Sequence, residues 1–420
     1  MCLISSIALT ADEDVLALSF YANETHFAIQ LEDGVLSVLE TDGKLLYTLQ
    51  HKIWSKVAIA DGKIIVAEDE EECVSIYNVG TGKVLSTLTL PTAVEKLIPN
   101  PSDPSSLIAV SSLHQITLLS LTPPPSSSAA APYAVAAQIL PYNAFKYHAA
   151  HSLLALLCSD GIIHIWNLPE STSSSNAGLQ SLCIIYPFSS LPPFYNSDIE
   201  RGEEEKAKQM YSVLILSTTQ VLTGHRDGKI RVWDISFPPT SPLFDQNAAG
   251  DESTKPSAIN TPLCVIQAHQ EVRGLVNGLL SLPTPVHTSS DENQKFISTG
   301  TDGFAKVWSL SSTSNTLVLL SEIKLFDHAI VARTLSNDGK WLFAGGKEGG
   351  GEEDVCGLDG RVKAWNLKRG DAGEVKQLGY PAQVVWNLQC VKGDRLIVSL
   401  MKKGRAHAEV WNVENMDTFS

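Results

Sequence analysis

Residues 295–310 read KFISTGTDGFAKVWSL, and the Asp302-Gly303 pair in the middle of this stretch decides the fold. On each side of the pair, apolar and polar residues alternate as they do in half-buried strands. Asp-Gly between two such runs predicts a β-hairpin, because glycine accepts the positive φ of a tight turn. The second run carries Trp308, six residues after Asp302. The stretch therefore predicts two antiparallel strands, the second of which ends in an aromatic residue.

The same frame recurs along the chain. Five segments end alike, as HIWNL, RVWDI, KVWSL, KAWNL and EVWNV, with their tryptophans at Trp166, Trp233, Trp308, Trp365 and Trp411. In four of them an Asp-Gly pair begins six residues before the tryptophan. Weaker copies place Leu39, Tyr77 and Leu119 in the tryptophan position. The result is eight copies, of which the closest two are 38 residues apart, close to the ~40–45 residues of a four-stranded repeat unit.

Each copy reads as four short strands, except the eighth, which has only three before the chain ends. The missing strand is available at the other terminus, as CLISSIAL at residues 2–9. Joining the two termini in one sheet removes an exposed strand edge that would otherwise promote aggregation. The pattern therefore predicts an all-β chain of residues 1–420 in one domain. Its four-stranded units close into a ring through the N-terminal strand.

With these motifs, the sequence resembles the WD-repeat β-propeller family over nearly its whole length. The eight copies predict a propeller of eight blades, and seven, the commoner number in the family, is the alternative. The resemblance implies a buried hydrogen-bonded set in a blade: a His before the blade, a Ser or Thr on the second strand, the turn Asp and the third-strand Trp. The implied members are His269, Ser298, Asp302 and Trp308 in the sixth copy; His328, Asp359 and Trp365 in the seventh; and Thr223, Asp227 and Trp233 in the fifth.

The copies depart from the family pattern at two places. The seventh has Ala344 where Ser or Thr is usual, and the fifth has no His before the blade. The Gly224-His225 pair of the fifth copy is expected on the wrong side of the blade and is left out of the set. Because Ser, Asp and Trp at a hairpin base satisfy one another, these sets are interpreted as structural and not as catalytic triads.

Insertions rich in Ser, Pro or Gly interrupt the repeats at about residues 122–132, 169–178, 189–208, 237–262, 283–294 and 346–358. Most have a composition that cannot bury enough surface to fold alone. They are either tolerated surface loops or a regulatory fringe with phosphorylatable serines.

Acidic residues collect in the turn between the second and third strands of two copies. They are Glu68, Asp69, Glu70, Glu71 and Glu72 in the second copy, and Glu352, Glu353 and Asp354 in the seventh. Such runs are often only solvated loops. The alternative is one partner-binding face for a basic segment. The negative electrostatic field of the acidic turns would attract that segment during association, and direct contacts would hold it once bound.

Several function classes lack support. A net charge of −15, with basic residues not clustered among aromatics, argues against nucleic-acid binding. The sequence has no phosphate-binding loop, no dinucleotide fingerprint and no nucleophile elbow, and no apolar run reaches the ~18 residues of a membrane span. His148 and His151 would lie on opposite faces of a strand, which suits no metal. No cofactor or metal is expected, and the seven Cys, without a CxxC pair, suggest cytosol or nucleus.

Three functions remain. The first is a non-enzymatic scaffold that binds other proteins as a subunit of a hetero-complex, an inference from the fold that names no partner. The second is a substrate receptor of a cullin-type ubiquitin ligase. Some WD-repeat receptors of this kind carry Asp, Trp-Asp and a following basic residue in one blade, and Asp359, Trp365-Asn366 and Lys368 resemble that pattern, with Asn for Asp and Lys for the more usual Arg. The third is an enzyme that uses the central channel, which requires ionisable residues to converge there.

Overall fold

The computed structural model describes residues 2–9, 17–23, 25–52, 55–68, 71–90, 92–111, 115–121, 134–139, 144–158, 161–168, 180–185, 209–236, 257–270, 274–283, 293–311, 313–347, 360–368, 375–382, 384–391, 394–402, 405–414 and 416. Within these ranges the chain forms 33 β-strands, arranged in eight sheets that are the blades of one ring. The prediction of an all-β propeller with eight blades is confirmed, and the seven-blade alternative is wrong.

The first four blades are consecutive in the chain. Blade one is formed by β2 (Ala17–Ala22), β3 (His26–Leu31), β4 (Val35–Glu40) and β5 (Leu45–Gln50). Blade two is formed by β6 (Lys56–Ala60), β7 (Lys63–Ala67), β8 (Cys73–Asn78) and β9 (Val84–Thr89). Blade three is formed by β10 (Val94–Pro99), β11 (Ser106–Ser111), β12 (Gln115–Ser120) and β13 (Ala134–Ile139). Blade four is formed by β14 (Ala144–Ala150), β15 (Leu153–Cys158), β16 (Ile163–Asn167) and β17 (Gln180–Ile185).

The remaining blades complete the ring. Blade five is formed by β18 (Met210–Ile215), β19 (Gln220–His225), β20 (Lys229–Asp234) and β22 (Cys264–Gln267). Blade six is formed by β23 (Val276–Ser281), β24 (Gln294–Gly300), β25 (Phe304–Leu310) and β26 (Leu317–Lys324). Blade seven is formed by β27 (Ile330–Leu335), β28 (Trp341–Lys347), β29 (Gly360–Asn366) and β30 (Val375–Ala382). Blade eight is formed by β31 (Val384–Val391), β32 (Arg395–Lys402), β33 (Arg405–Asn412) and β1 (Cys2–Ala8).

Blade eight joins the two ends of the chain. Strand β1 pairs antiparallel with β33, with Leu3 opposite Trp411 and Ala8 opposite His407. The N-terminal strand is thus the outermost strand of the last blade, as the sequence predicts.

The hydrophobic core is divided among the interfaces between neighbouring blades. Middle strands are buried on both faces, and β15 with the sequence LLALLC is buried at every position, which is why such strands are apolar without alternation. The described residues form eight apolar clusters, and each joins two consecutive blades. The cluster with Phe27 and Val410 joins blade one to blade eight. Burying each such side chain stabilises the fold by about 1.5–3 kcal/mol.

Seven of the eight inner strands carry a register shift near their start, and β6 is the exception. In blade six, Val276 pairs with Gly300 and Gly278 pairs with Thr299, so that Asn277 is the extra residue. Such a bulge bends the strand and re-aims the side chains after it. Inner strands line the axis of a propeller, so these bulges help to decide which side chains enter the channel.

The segment between β20 and β22 differs from the prediction. Residues 237–262 are expected to be a loop insertion, but β21 (Ser257–Ile259) lies within them. It pairs in parallel with β17, the outer strand of blade four, and gives that blade a fifth strand. The predicted loop insertion therefore contains a short strand at these three residues. The insertions at 122–132, 169–178 and 189–208 lie outside the described residues.

The two remaining insertions overlap strands at their ends. Gln294 begins β24, and residues 346–347 belong to β28. None of the helical residues in the described ranges forms a segment long and apolar enough to cross a bilayer.

Candidate functional site

The four residues implied for blade six lie together at the base of the β24–β25 hairpin. His269 Nδ1 lies 2.9 Å from Asp302 Oδ1, and His269 Nε2 lies 2.9 Å from Ser298 Oγ. Trp308 donates its indole Nε1–H to the same Ser298 Oγ at 2.9 Å. All four side chains are buried. The arrangement links the outer end of blade five to the hairpin of blade six.

Asp302 also organises the turn that it begins. Its carboxylate accepts the amides of Phe304 at 3.1 Å and Gln270 at 3.3 Å. Burial opposes ionisation, but the hydrogen bonds and the field of His269 outweigh it, so the pKa of Asp302 is lowered. The adjacent Gly303 has φ +79°, and a Cβ there would lie 1.9 Å from the carbonyl oxygen of Phe326. Only glycine fits this turn, as the Asp-Gly signal requires.

Blade five builds a related set in another way. Trp233 donates Nε1–H to Thr223 Oγ1 at 2.7 Å, and Thr223 Oγ1 lies 2.6 Å from His225 Nε2. Asp227 pairs with Arg231, with Nη2 2.8 Å from Oδ2. The exclusion of His225 from this set is therefore corrected: it is fully buried and bonded to the hydroxyl.

Gly300 shows why the two blades differ. It occupies, two residues after Ser298, the place that His225 holds two residues after Thr223. A Cβ on Gly300 would lie 2.4 Å from Nδ1 of His269. One blade leaves this space empty for a histidine from the preceding loop, and the other fills it from its own strand.

Blade seven keeps the tryptophan but not its partner. Ala344 stands where Ser298 stands in blade six, and the fully buried Trp365 Nε1 has no hydrogen-bond partner among the described residues. Trp166 of blade four is in the same situation, with Leu156 in the hydroxyl position. His328 is partly buried, and Asp359 lies outside the described residues.

Two of the acidic residues in blade two are engaged inside the protein. Glu68 accepts the Ser55 hydroxyl at 2.9 Å and the Lys52 amide at 3.0 Å, and its Oε1 lies 2.5 Å from His51 Nδ1. Partial burial alone would raise the pKa of Glu68. The hydrogen bonds lower it by more than burial raises it, so the net shift is downward. Glu71 pairs with Lys52 at 2.5 Å. These contacts hold the loop before blade two.

The pair of His51 and Glu68 was missed from the sequence. The His51 amide donates to the carbonyl of Gly34 as the His269 amide donates to that of Gly228, so the two histidines hold equivalent positions before their blades. The sequence signal for this pair is a His directly after the outer strand of one blade, with a Glu after the second strand of the next blade in place of an Asp. Of the other predicted acids, Glu72 is described, whereas Asp69, Glu70, Glu352, Glu353 and Asp354 lie outside the described residues.

A cavity of about 300 Å³ lies among the inner strands of blades four to seven. The polar side chains that line it come from β14, β18, β23 and β27 and are Lys146, Tyr147, His148, Ser212, Asn277 and Arg333. Lys146 Nζ and Arg333 Nη2 both donate to the carbonyl oxygen of Asn277, at 3.4 and 2.5 Å. His148 Nδ1 accepts the Ile215 amide at 3.2 Å, which leaves the Nε2–H as a donor.

Burial shifts the titration of these groups. It lowers the pKa of Lys146 to about 8, with added repulsion from Arg333 and Lys96. Burial also lowers the pKa of Arg333 to about 10 and that of His148 to about 4. The described residues contain no group of three or more His, Cys, Asp or Glu side chains placed to hold a metal ion.

Comparison with known proteins identifies a known repeat in one blade. The chain matches the model described as "WD domain, G-beta repeat" over residues 208–244, which covers β18, β19 and β20 of blade five. No curated protein matches the sequence.

Three solved structures illustrate the similarity of fold. Sqt1 of Chaetomium thermophilum has a TM-score of 0.64 at 14% identity, covering 100% of this chain and 99% of that one. The computationally designed Ika8 protein has a TM-score of 0.59 at 17% identity, covering 96% of each chain. The C-terminal WD40 domain of Sif2 has a TM-score of 0.53 at 14% identity, covering 96% of this chain and 98% of that one. One blade matches the WD repeat and eight four-stranded blades close the ring, so the fold of this chain is an eight-bladed β-propeller that contains a WD repeat.

Proposed function

We propose that this propeller is a non-enzymatic interaction module, a subunit of a cytosolic or nuclear complex, that binds a partner protein along the outer edge of blade six. WD-repeat propellers generally mediate protein–protein interactions. The observation that carries the choice of surface is a run of three exposed apolar residues on the outer strand β26: Val318 at 54%, Leu319 at 40% and Leu320 at 48%.

An extended partner segment fits this edge. Successive residues of a strand face opposite sides of the sheet, so Val318 and Leu320 share one face and Leu319 lies on the other. The free backbone groups of an outermost strand can pair with an added strand, while apolar side chains on both faces pack against it. An exposed apolar edge of this kind is a liability unless something covers it.

The negative net charge of the chain favours a basic partner segment at a second surface, the acidic turns of blades two and seven. A net charge of −15 attracts positively charged segments over a distance, and the acidic turns of blades two and seven are the proposed docking residues. Because Glu68 and Glu71 already bond to neighbours, the other acids would carry this interaction. Sqt1, whose fold is similar, has been solved with the N-terminus of ribosomal protein L10 bound, at a TM-score of 0.60 and 15% identity.

The test is affinity purification of the tagged chain with mass spectrometry, using three variants. Leu319→Lys with Leu320→Lys should abolish recovery of the partner, while Leu45→Lys on the rim of blade one should not. Recovery that survives the β26 variant but is lost with Glu70, Glu352 and Glu353 all changed to Gln would move the site to the acidic turns. Recovery of no stable partner would overturn the interaction function itself.

The ligase hypothesis is separated by the same experiment, since it requires a cullin adaptor among the recovered proteins. In blade seven, Asn366 is buried and its Oδ1 accepts the Lys368 amide at 3.0 Å. This Asn therefore caps the end of its strand, whatever else it does.

A further inference from the structure

We propose that the central channel of this propeller holds a small, multiply charged oxyanion of the phosphate class, between Lys146 of blade four and Arg333 of blade seven. This site is independent of the proposed partner surface on β26. The argument rests on the lining of the cavity and on the arrangement of its cations.

Two cations are held side by side without a carboxylate. Lys146 Nζ and Arg333 Nη2 share the carbonyl oxygen of Asn277 as acceptor. In the described part of the chain, neither forms an ion pair with an acidic side chain. Among the described residues, those that line the cavity include no Asp or Glu. Two partly buried like charges are costly unless an opposite charge joins them.

The position of Arg333 is built into the neighbouring strand. A Cβ on Gly278 would lie 1.9 Å from Nε and 2.0 Å from Cζ of Arg333, so the guanidinium rests on a surface that only glycine provides. The Asn277 side chain fixes the same region, because its Nδ2 donates to the Ile330 carbonyl at 2.7 Å and its Oδ1 lies 3.4 Å from Arg333 Nη1. The guanidinium is therefore oriented before any ligand arrives.

The other polar groups of the cavity add donors. The Nε2–H of His148 is a donor, because its Nδ1 accepts the Ile215 amide. Lys96 on β10 adds a third positive charge close enough to repel Lys146. An ammonium group beside a guanidinium, with Lys96 near them but outside the cavity lining, matches an anion with more than one charge better than a single carboxylate. A guanidinium binds phosphate oxygens through a planar fork.

The size of the cavity limits the ligand. A volume of about 300 Å³ is at the lower end of the range for small-molecule sites. It accommodates phosphate, pyrophosphate or the phosphate end of a small ester, but not a nucleic acid. The chain carries a net charge of −15, so a general attraction for anions does not explain this local cluster.

The experiment measures thermal stability and calorimetric binding with inorganic phosphate, pyrophosphate and glycerol phosphate, at constant ionic strength set with sodium chloride. A ligand that binds only the folded state raises the melting temperature with its concentration. We expect such a rise for the wild type. The ligand that binds most tightly shows whether the site prefers free phosphate, pyrophosphate or a phosphate ester.

Two variants test the site. Lys146→Gln should raise the melting temperature without ligand, because it removes the repulsion, and should weaken anion binding by about tenfold or more, the loss of one charge-assisted contact. Gly278→Ala keeps every charge but displaces the guanidinium, and it should also weaken binding. Lys44→Gln, an exposed lysine on the rim, is the control and should bind as the wild type does.

The proposal is overturned if sodium chloride stabilises the wild type as much as the phosphates do. It is also overturned if Lys146→Gln and Gly278→Ala both keep the wild-type affinity, because the cations would then only fill the channel.

Discussion

His225 Nε2 lies 2.6 Å from Thr223 Oγ1, so a single strand of blade five supplies both the histidine and the hydroxyl that blade six takes from two separate elements. In each case the hydroxyl also accepts a tryptophan Nε1–H. The shared requirement is a buried oxygen for the indole, since an unpaired buried donor costs about 1–3 kcal/mol. The source of the histidine can therefore vary between blades.

Ala344→Ser should stabilise the protein by about 0.5–1.5 kcal/mol. The new hydroxyl would stand where Ser298 stands in blade six and would accept the unpaired Nε1–H of Trp365. Chemical denaturation measures the change in the free energy of unfolding. The matched control is Ala364→Ser, an equally buried position beside the tryptophan that faces the other way. The control should destabilise, and equal effects of the two variants would contradict the assignment.

Gly300→Ala should destabilise by several kcal/mol, because its Cβ would lie 2.4 Å from Nδ1 of His269 and 2.5 Å from Oδ1 of Asp302. Losing such a buried network belongs to the largest class of single-mutation effects. Gly80→Ala is the control, since the nearest atom to its Cβ would be the Asn78 Oδ1 at 3.6 Å. The two melting temperatures should differ clearly; a Gly300 variant as stable as the control would show that the network contributes little.

The stability difference between the wild type and Lys146→Gln should depend on pH. The pKa of Lys146 falls from 10.5 to about 8 on folding, so between these values the unfolded chain binds more protons and stability rises with pH. Below pH 8 Lys146 is charged in both the folded and the unfolded state, so the full cost of burying its charge lowers the stability. The wild type should there be the less stable of the two. Arg333, Lys96 and His148 face this group and remain in both proteins.

Urea denaturation of both proteins at several pH values from 7 to about 10.5 measures this difference. The stability of the wild type should approach that of the variant as the pH rises. A constant difference over this range would show that Lys146 keeps its ordinary pKa.

Deleting residues 1–10 should lower the melting temperature and promote self-association, because β1 is the strand that covers the outer edge of β33 among the described residues. Calorimetry and light scattering after gel filtration measure the two effects. Leu3→Thr, an exposed position on the same strand, should leave both unchanged. A truncated protein that is monomeric and melts with the wild type would contradict ring closure by this strand.

The features that the sequence predicts are local ones. Asp302-Gly303 and Trp308 specify a turn and a strand end within a few residues, because positive φ at Gly303 is a property of that residue alone. The unmatched strand at residues 2–9 is equally visible, since a four-strand unit leaves one place open. These signals suffice for the blades and for their closure into a ring.

The features that sequence reasoning missed depend on which blades meet. His51 reaches Glu68 only because an outer strand delivers it to the next blade. Lys146 and Arg333 are far apart in the chain and meet on one carbonyl oxygen because blades four, six and seven surround the same channel. A register shift at Asn277 places that oxygen, and no pattern of residue types reveals it.

The pairing of β1 with β33 also sets an order of events during synthesis. Ser6 Oγ and Glu409 Oε1, which lie 3.4 Å apart, are separated by 403 positions in the chain. Strand β1 must therefore remain without its partner until β33 has been synthesised. Closing so long a loop is slow, and the incomplete ring exposes strand edges meanwhile. The nascent chain is thus most vulnerable to misassembly in the interval before β33 is complete.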